Sequence, residues 1–215
     1  MKILIADDHG IIRDGLKSLI NMQSDMEVVG EAEDGRVAVQ LTKEVSPDIV
    51  IMDVSMPNLN GVEAVREILR HKPDTKIIIL SMHTDKYIVK ESLEAGASGY
   101  VLKSYLFDEL LKALDAVKAN ECYLSPRIAG IVIDDYVDQK SANQKKKTVK
   151  LTARERQILQ LIAEGKTVKE IARILHVSPK TADANRRKIM TKLELFNVAE
   201  LTKYAIREGL TSLDF

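Results

Sequence analysis

The chain holds a single cysteine, Cys122, among 215 residues. An intrachain disulfide is therefore excluded, and the composition fits a reducing compartment. No apolar run approaches the ~18 residues that a membrane span requires. The first apolar stretch, Ile3 to Ala6, stops at Asp7 and Asp8, too soon for a signal-peptide core. A soluble cytoplasmic protein without membrane contact is expected. Gly-x-Gly-x-x-Gly is missing after that first stretch, which argues against a dinucleotide fold. Net charge is also missing, because 32 Lys and Arg balance 32 Asp and Glu. The balance is local in neither half. Residues 1–125 carry 14 Lys and Arg against 21 Asp and Glu, whereas residues 149–215 carry 13 against 8. Such asymmetry suggests that the C-terminal part meets an anionic partner.

The first 120 residues alternate in period. Apolar runs at 2–6, 26–32, 48–53, 76–81 and 98–102 read as strands. The segments 10–22, 35–45, 61–71, 85–95 and 106–120 between and after them carry helical spacing. Strands alternating with helices imply βαβ units and a parallel sheet. Right-handed crossovers then give a flavodoxin-like doubly wound α/β fold of strand order 2-1-3-4-5. The run Ile49-Val-Ile-Met-Asp53 reads as a buried central strand whose last residue sits at the carboxyl lip. Asp53 could be no more than a helix N-cap. The other lips, however, carry Asp7, Asp8, Ser81 and Lys103, and ligands bind outside the carboxyl ends of such strands.

Clustered carboxylates stay ionised when a cation neutralises them. Mg²⁺ fits, as a hard ion that takes oxygen ligands and keeps waters. Asp8 and Asp53 are expected to bind it directly with the backbone carbonyl of Ser55, and Asp7 through water. Asp53 is then the expected nucleophile, forming an aspartyl phosphate. Ser81 and Lys103 would hold the phosphoryl oxygens. A Mg²⁺ phosphohydrolase is the competing enzyme reading. Such enzymes carry an acid–base Asp two residues after the nucleophile, where this chain has Ser55. A DNA-binding protein regulated without phosphorylation is a third reading.

Residues 121–150 change character. Ser125-Pro126 looks like an N-cap and first helical residue, opening an expected helix 127–137. The polar stretch from Asp138 to Lys147 reads as a flexible linker. The last part is punctuated as four short helices. Thr152 with Glu155, and Thr167 with Glu170, form capping boxes, and Ser178-Pro179 opens a third helix. The short connection at His176-Val177 has helix-turn-helix spacing. On the third helix Ala182, Asn185, Ile189 and Leu193 fall on the packing side, with Lys180, Asp183, Ala184, Arg187 and Thr191 opposite.

The set Asp7-Asp8, Asp53, Ser81 and Lys103 resembles the receiver domain of two-component response regulators. Leu151-Thr-Ala-Arg-Glu-Arg-Gln-Ile-Leu159, Gly165-Lys166, Lys169-Glu-Ile-Ala172 and Ser178-Pro-Lys-Thr181 resemble a LuxR-type helix-turn-helix. Together they are similar to the NarL/FixJ family over nearly the whole chain. The resemblance implies a receiver domain at 1–122, a linker at 123–148 and an all-α four-helix DNA-binding domain at 149–215. It implies phosphorylation of Asp53 by a sensor histidine kinase, slow self-dephosphorylation, and regulated binding to double-stranded promoter DNA. It makes Tyr100 the switch aromatic. By position the family's base readers map onto Asp183, Ala184 and Arg187, and its phosphate contacts onto Lys166, Lys180, Thr181 and Lys188. Ala182 and Asn185 depart from the Val and His usual in such helices. The active form is expected to be a homodimer, with Val198, Leu201, Tyr204 and Ala205 as its apolar contact and RNA polymerase as a further candidate partner.

Overall fold

The computed structural model describes residues 1–141 and 151–211. The chain forms two compact units, Met1–Asn143 and Gln144–Phe215. In the first, β1 (Lys2–Ala6), β2 (Glu27–Ala32), β3 (Ile49–Asp53), β4 (Lys76–Ser81) and β5 (Gly99–Leu102) alternate with five helices. These are α1 (Gly10–Asn21), α2 (Gly35–Val45), α3 (Gly61–His71), α4 (Lys86–Glu94) and α5 (Leu106–Lys118). All strand pairs are parallel, in the order β2-β1-β3-β4-β5, extended by β6 (Tyr123–Leu124) beside β5.

Alternate side chains of each central strand enter opposite cores. Leu4, Val50, Met52, Ile77, Ile79 and Tyr100 pack with α2, α3 and α4. Ile3, Ile5, Ile49, Ile51, Ile78 and Leu80 pack with α1 and α5. Helices on both faces explain why β3 reads as an unbroken apolar run, because neither face meets water.

The expected order 2-1-3-4-5 is present, and the sixth strand lengthens the sheet at its β5 edge. Two residues are too few to show a period, so the sequence places this segment at the start of the linker. Gly99 aligns with Tyr123 and Tyr100 with Leu124. The helix after it, α6, runs Pro126–Ser141, beyond the expected 127–137, because Gln139 and Lys140 are adequate helix formers. Its Ile128 is buried in the core beside Tyr100. The Ser125 hydroxyl, read as a helix cap, instead donates to the Glu109 carboxylate and accepts the Leu102 amide at 3.1 Å. The remainder of the expected linker, 142–148, lies outside the described residues.

The second unit contains α7 (Ala153–Ala163), α8 (Val168–Ile174), α9 (Pro179–Leu193) and α10 (Val198–Arg207). Thr152 and Thr167 each form a capping box, with Glu155 and Glu170. The α8–α9 connection turns at His176, whose φ is 53°. Ile158, Leu159, Ile162, Ile171, Ala182, Ile189, Leu201 and Ala205 form its core. Among the described residues no helix is long and apolar enough to cross a membrane.

Candidate functional site

β3 delivers Asp53 to the lip of the sheet, one residue beyond Met52, which pairs with Ala6 of β1. Asp7 therefore emerges beside it. The end of β3 is pressed against the start of α3. A Cβ at Gly61 would stand 1.9 Å from the Asp53 carbonyl oxygen, so only glycine permits this approach. Asn60 caps the helix through the Glu63 amide at 2.9 Å.

Asp7 and Asp53 are buried, the latter 3 % exposed, whereas Asp8 and His9 are exposed. Carboxylate oxygens of Asp7, Asp8 and Asp53 and a ring nitrogen of His9 all lie within 4.8 Å of one another. The Lys103 ammonium stands 2.7 Å from Asp7 Oδ2 and 3.0 Å from Asp53 Oδ2. Burial pushes the Asp53 carboxyl up to about 6, with help from Asp7 and Asp8 and against the pull of Lys103. Burial works against the Lys103 charge, but Asp53 and Asp7 outweigh it and hold its pKa above the ordinary value. Buried carboxylate oxygens gathered this closely suit a hard divalent cation.

Ser81 ends β4, fully buried, and its Oγ accepts the His83 amide at 3.1 Å. Tyr100 is also fully buried, and its hydroxyl donates to the His83 carbonyl at 2.9 Å. Burial pushes that phenol up to about 12, assisted by Asp53 and Asp85 and opposed by a hydrogen bond with Ser81. The Ser55 side chain lies 2.9 Å from His83 Nε2. Two neighbours of the cluster thus escaped the sequence reading. His9 touches Asp8 Oδ1 at 2.6 Å, and His83 joins Ser55, Ser81 and Tyr100. Their one signal was proximity, since His9 follows Asp8 and His83 lies two residues past Ser81.

In the second unit, Ser178 Oγ accepts the Thr181 amide at 3.1 Å and Pro179 opens α9. Ala182 and Ile189 point inward, while Lys180, Thr181, Ala184, Arg187, Lys188 and Thr191 are exposed. Asp183 is half-buried and binds Arg187 at 2.8 Å. Asn185 turns back to the Thr181 carbonyl at 2.9 Å. Lys166 is half-buried after α7. Lys188 stands 3.3 Å from Glu155 Oε1. The expected dimer stripe is corrected. Leu201 and Ala205 are wholly buried in their own domain's core, because the apolar face of α10 covers α7. Val198 is 49 % exposed. Tyr204 is half-buried, with the Arg207 guanidinium 5.2 Å from its ring centre.

Residues 3–115 match the response regulator receiver domain, and residues 149–205 match the bacterial regulatory proteins of the luxR family. The chain is similar to "Oxygen regulatory protein NreC" of Staphylococcus haemolyticus (strain JCSC1435), at 42 % identity over all of both chains. Among solved structures it is similar to a LuxR-family two-component response regulator from Aurantimonas sp. SI85-9A1. There the identity is 39 % and the TM-score 0.61, over 63 % of this chain and 97 % of that one. It is also similar to RcsB from Salmonella enterica serovar Typhimurium bound to a promoter in the presence of phosphomimetic BeF3-. That likeness has 28 % identity and a TM-score of 0.62, over 98 % of this chain and 99 % of that one. A receiver sheet ending on Asp53, a luxR-type helical unit, and relatives matching along the whole length make this chain a member of the NarL/FixJ family of two-component response regulators, a phosphorylation-dependent regulator of transcription.

Proposed function

We propose that Asp53 accepts a phosphoryl group from a sensor histidine kinase. The observation that carries this is the Lys103 ammonium held between the buried Asp7 and Asp53 carboxylates. Asp8, Asp53 and the Ser55 carbonyl would hold Mg²⁺, with Asp7 behind a water. When bound, the ion supplies charge neutralisation to the transferring group. An Asp53 oxygen attacks phosphorus while the bond to the donor histidine nitrogen breaks. Lys103 already lies against Asp53 and needs only a small movement to meet a phosphoryl oxygen. Ser81 accepts the His83 amide and hydrogen-bonds Tyr100, and it would turn its hydroxyl proton from Tyr100 to a second phosphoryl oxygen. Ser55 stands where phosphohydrolases place an acid–base carboxylate, so the phosphoryl group turns over slowly. The test is intact mass after incubation with acetyl phosphate and Mg²⁺. One phosphoryl group on the wild type and none on Asp53→Asn is expected; labelling of that variant overturns the assignment.

The output side is DNA. RcsB, a relative of similar fold, is described in complex with DNA and as dimers on DNA. For this chain we assign base reading to Arg187, with Asp183 and Ala184 beside it, and phosphate contact to Lys166, Lys180 and Thr181. An arginine pairs bidentately with guanine, and an Asp accepts from cytosine. A homodimer on paired half-sites would place two such helices one helical turn apart. Val198 and Tyr204, with the 70 %-exposed Phe196 two residues before Val198, form the remaining candidate contact. Footprinting of the phosphorylated protein tests this, and protection of a lone half-site by one monomer counts against it.

A further inference from the structure

The start of α7 carries a buried charge that neither the Asp53 cluster nor the outer face of α9 uses. Glu155 is 2 % exposed. Its Oε2 accepts the Thr152 amide at 2.8 Å, closing the capping box. The same oxygen receives the Lys192 ammonium at 2.7 Å, and Oε1 faces Lys188 Nζ at 3.3 Å. Burial would raise this carboxyl's pKa, but Lys192, the Thr152 amide and Lys188 outweigh burial and hold it down at about 2. Both lysines belong to α9, one turn apart. Arg154 of the same turn donates to the Leu175 carbonyl at 2.9 Å, fastening α7 to the end of α8 as well.

The apolar seat of α9 is narrow. Ala182 and Ile189 are its buried residues, and the partly buried Met190 and Leu193 pack beside them against the core. A helix is about 10–12 Å across with its side chains, so a 20° rotation displaces a side-chain tip by roughly 2 Å. That is enough to break a bidentate base contact, whose geometry is fixed at hydrogen-bond length.

We propose that Glu155 is a positioning residue for DNA reading. It sets the rotation of α9 and withholds Lys188 and Lys192 from DNA phosphate, so that binding depends on base contacts rather than on loose charge. The proposal deepens the DNA-binding reading above and rests on it, and it replaces the expected role of Lys188 as a phosphate contact.

The test uses full-length Glu155→Gln, which keeps the side-chain shape and an acceptor for the Thr152 amide. The probes are a duplex enriched from a random pool by the wild type and a scrambled duplex of equal composition. Loss of a charge-assisted anchor is expected to lower the ratio of the two affinities about ten-fold. On scrambled DNA the slope of log affinity against log salt should steepen by about 0.9 for each lysine released. Adding Lys188→Gln to the variant should remove one such increment without restoring the ratio. Lys192→Met leaves the capping box intact and should reproduce the lost specificity, which guards against a Glu155→Gln protein that folds badly. An unchanged ratio and slope in both single variants overturns the proposal. So does a parallel fall of both affinities with an unchanged slope, which would make Glu155 structural only. If the wild type enriches no duplex, the DNA-binding reading itself fails and this inference falls with it.

Discussion

Replacing Asp53 by Asn should stabilise the first unit at neutral pH, and the gain should depend on pH in a defined way. The folded Asp53 carboxyl keeps its proton up to about pH 6, against an ordinary value of 3.8. Between those values the folded chain binds more protons than the unfolded chain. Stability supplied by this group is therefore complete below about pH 4 and is lost as pH rises through about 6. The shift already sets the Lys103 attraction against burial and the Asp7 and Asp8 repulsions. Moving from 3.8 to about 6 corresponds to about 3 kcal/mol. Asn cannot ionise and escapes this loss. The assay is urea denaturation followed by circular dichroism from pH 4 to 8, with a chelator present. The second unit is common to both proteins and cancels in the difference. The advantage of Asp53→Asn should be near zero at pH 4, open between pH 4 and 7, and level off near 3 kcal/mol. Mg²⁺ should then narrow it, because a ligand stabilises only the folded form that binds it. A difference that does not vary with pH, or a less stable variant at pH 7.5, refutes the reasoning.

Asp8→Ala should weaken Mg²⁺ binding at least about ten-fold in a spectroscopic titration, whereas Lys103→Ala should still bind the ion and fail to retain the phosphoryl-induced change. Arg187→Ala should cost ~1–3 kcal/mol on the enriched duplex and relax specificity at one base pair, while Lys180→Ala should weaken all sequences alike and flatten the salt slope. Leu201→Ala should destabilise the second unit by about 2–5 kcal/mol in denaturant. Val198→Lys, on an exposed position, should leave stability within ~0.5 kcal/mol and lower the dimer fraction seen by sedimentation. Gly61→Ala should cost about 1–3 kcal/mol and slow phosphoryl uptake, because the Asp53 carbonyl blocks its Cβ.

The sequence by itself determined the parallel sheet, its five-strand order and the lip that carries Asp53. These are local matters: apolar period separates strands from helices, and chain chirality restricts the crossovers. It also determined the capping boxes at Thr152 and Thr167, since a cap and its partner lie three residues apart. Tertiary structure decided the rest. Strand β6 is too short for any period, and it exists because Gly99 and Tyr100 offer it an edge. The Ser125 hydroxyl left its helix for Glu109 and Leu102, partners that no local pattern names. An apolar stripe on α10 is the same stripe whether a second copy or α7 covers it, and packing gave Leu201 and Ala205 to α7. Lys188, 33 positions after its partner Glu155, reads as one more surface cation until the fold brings that carboxylate to it. Periodicity records which face of an element is buried. Only the assembled chain determines which neighbour covers that face, and which charge it meets there.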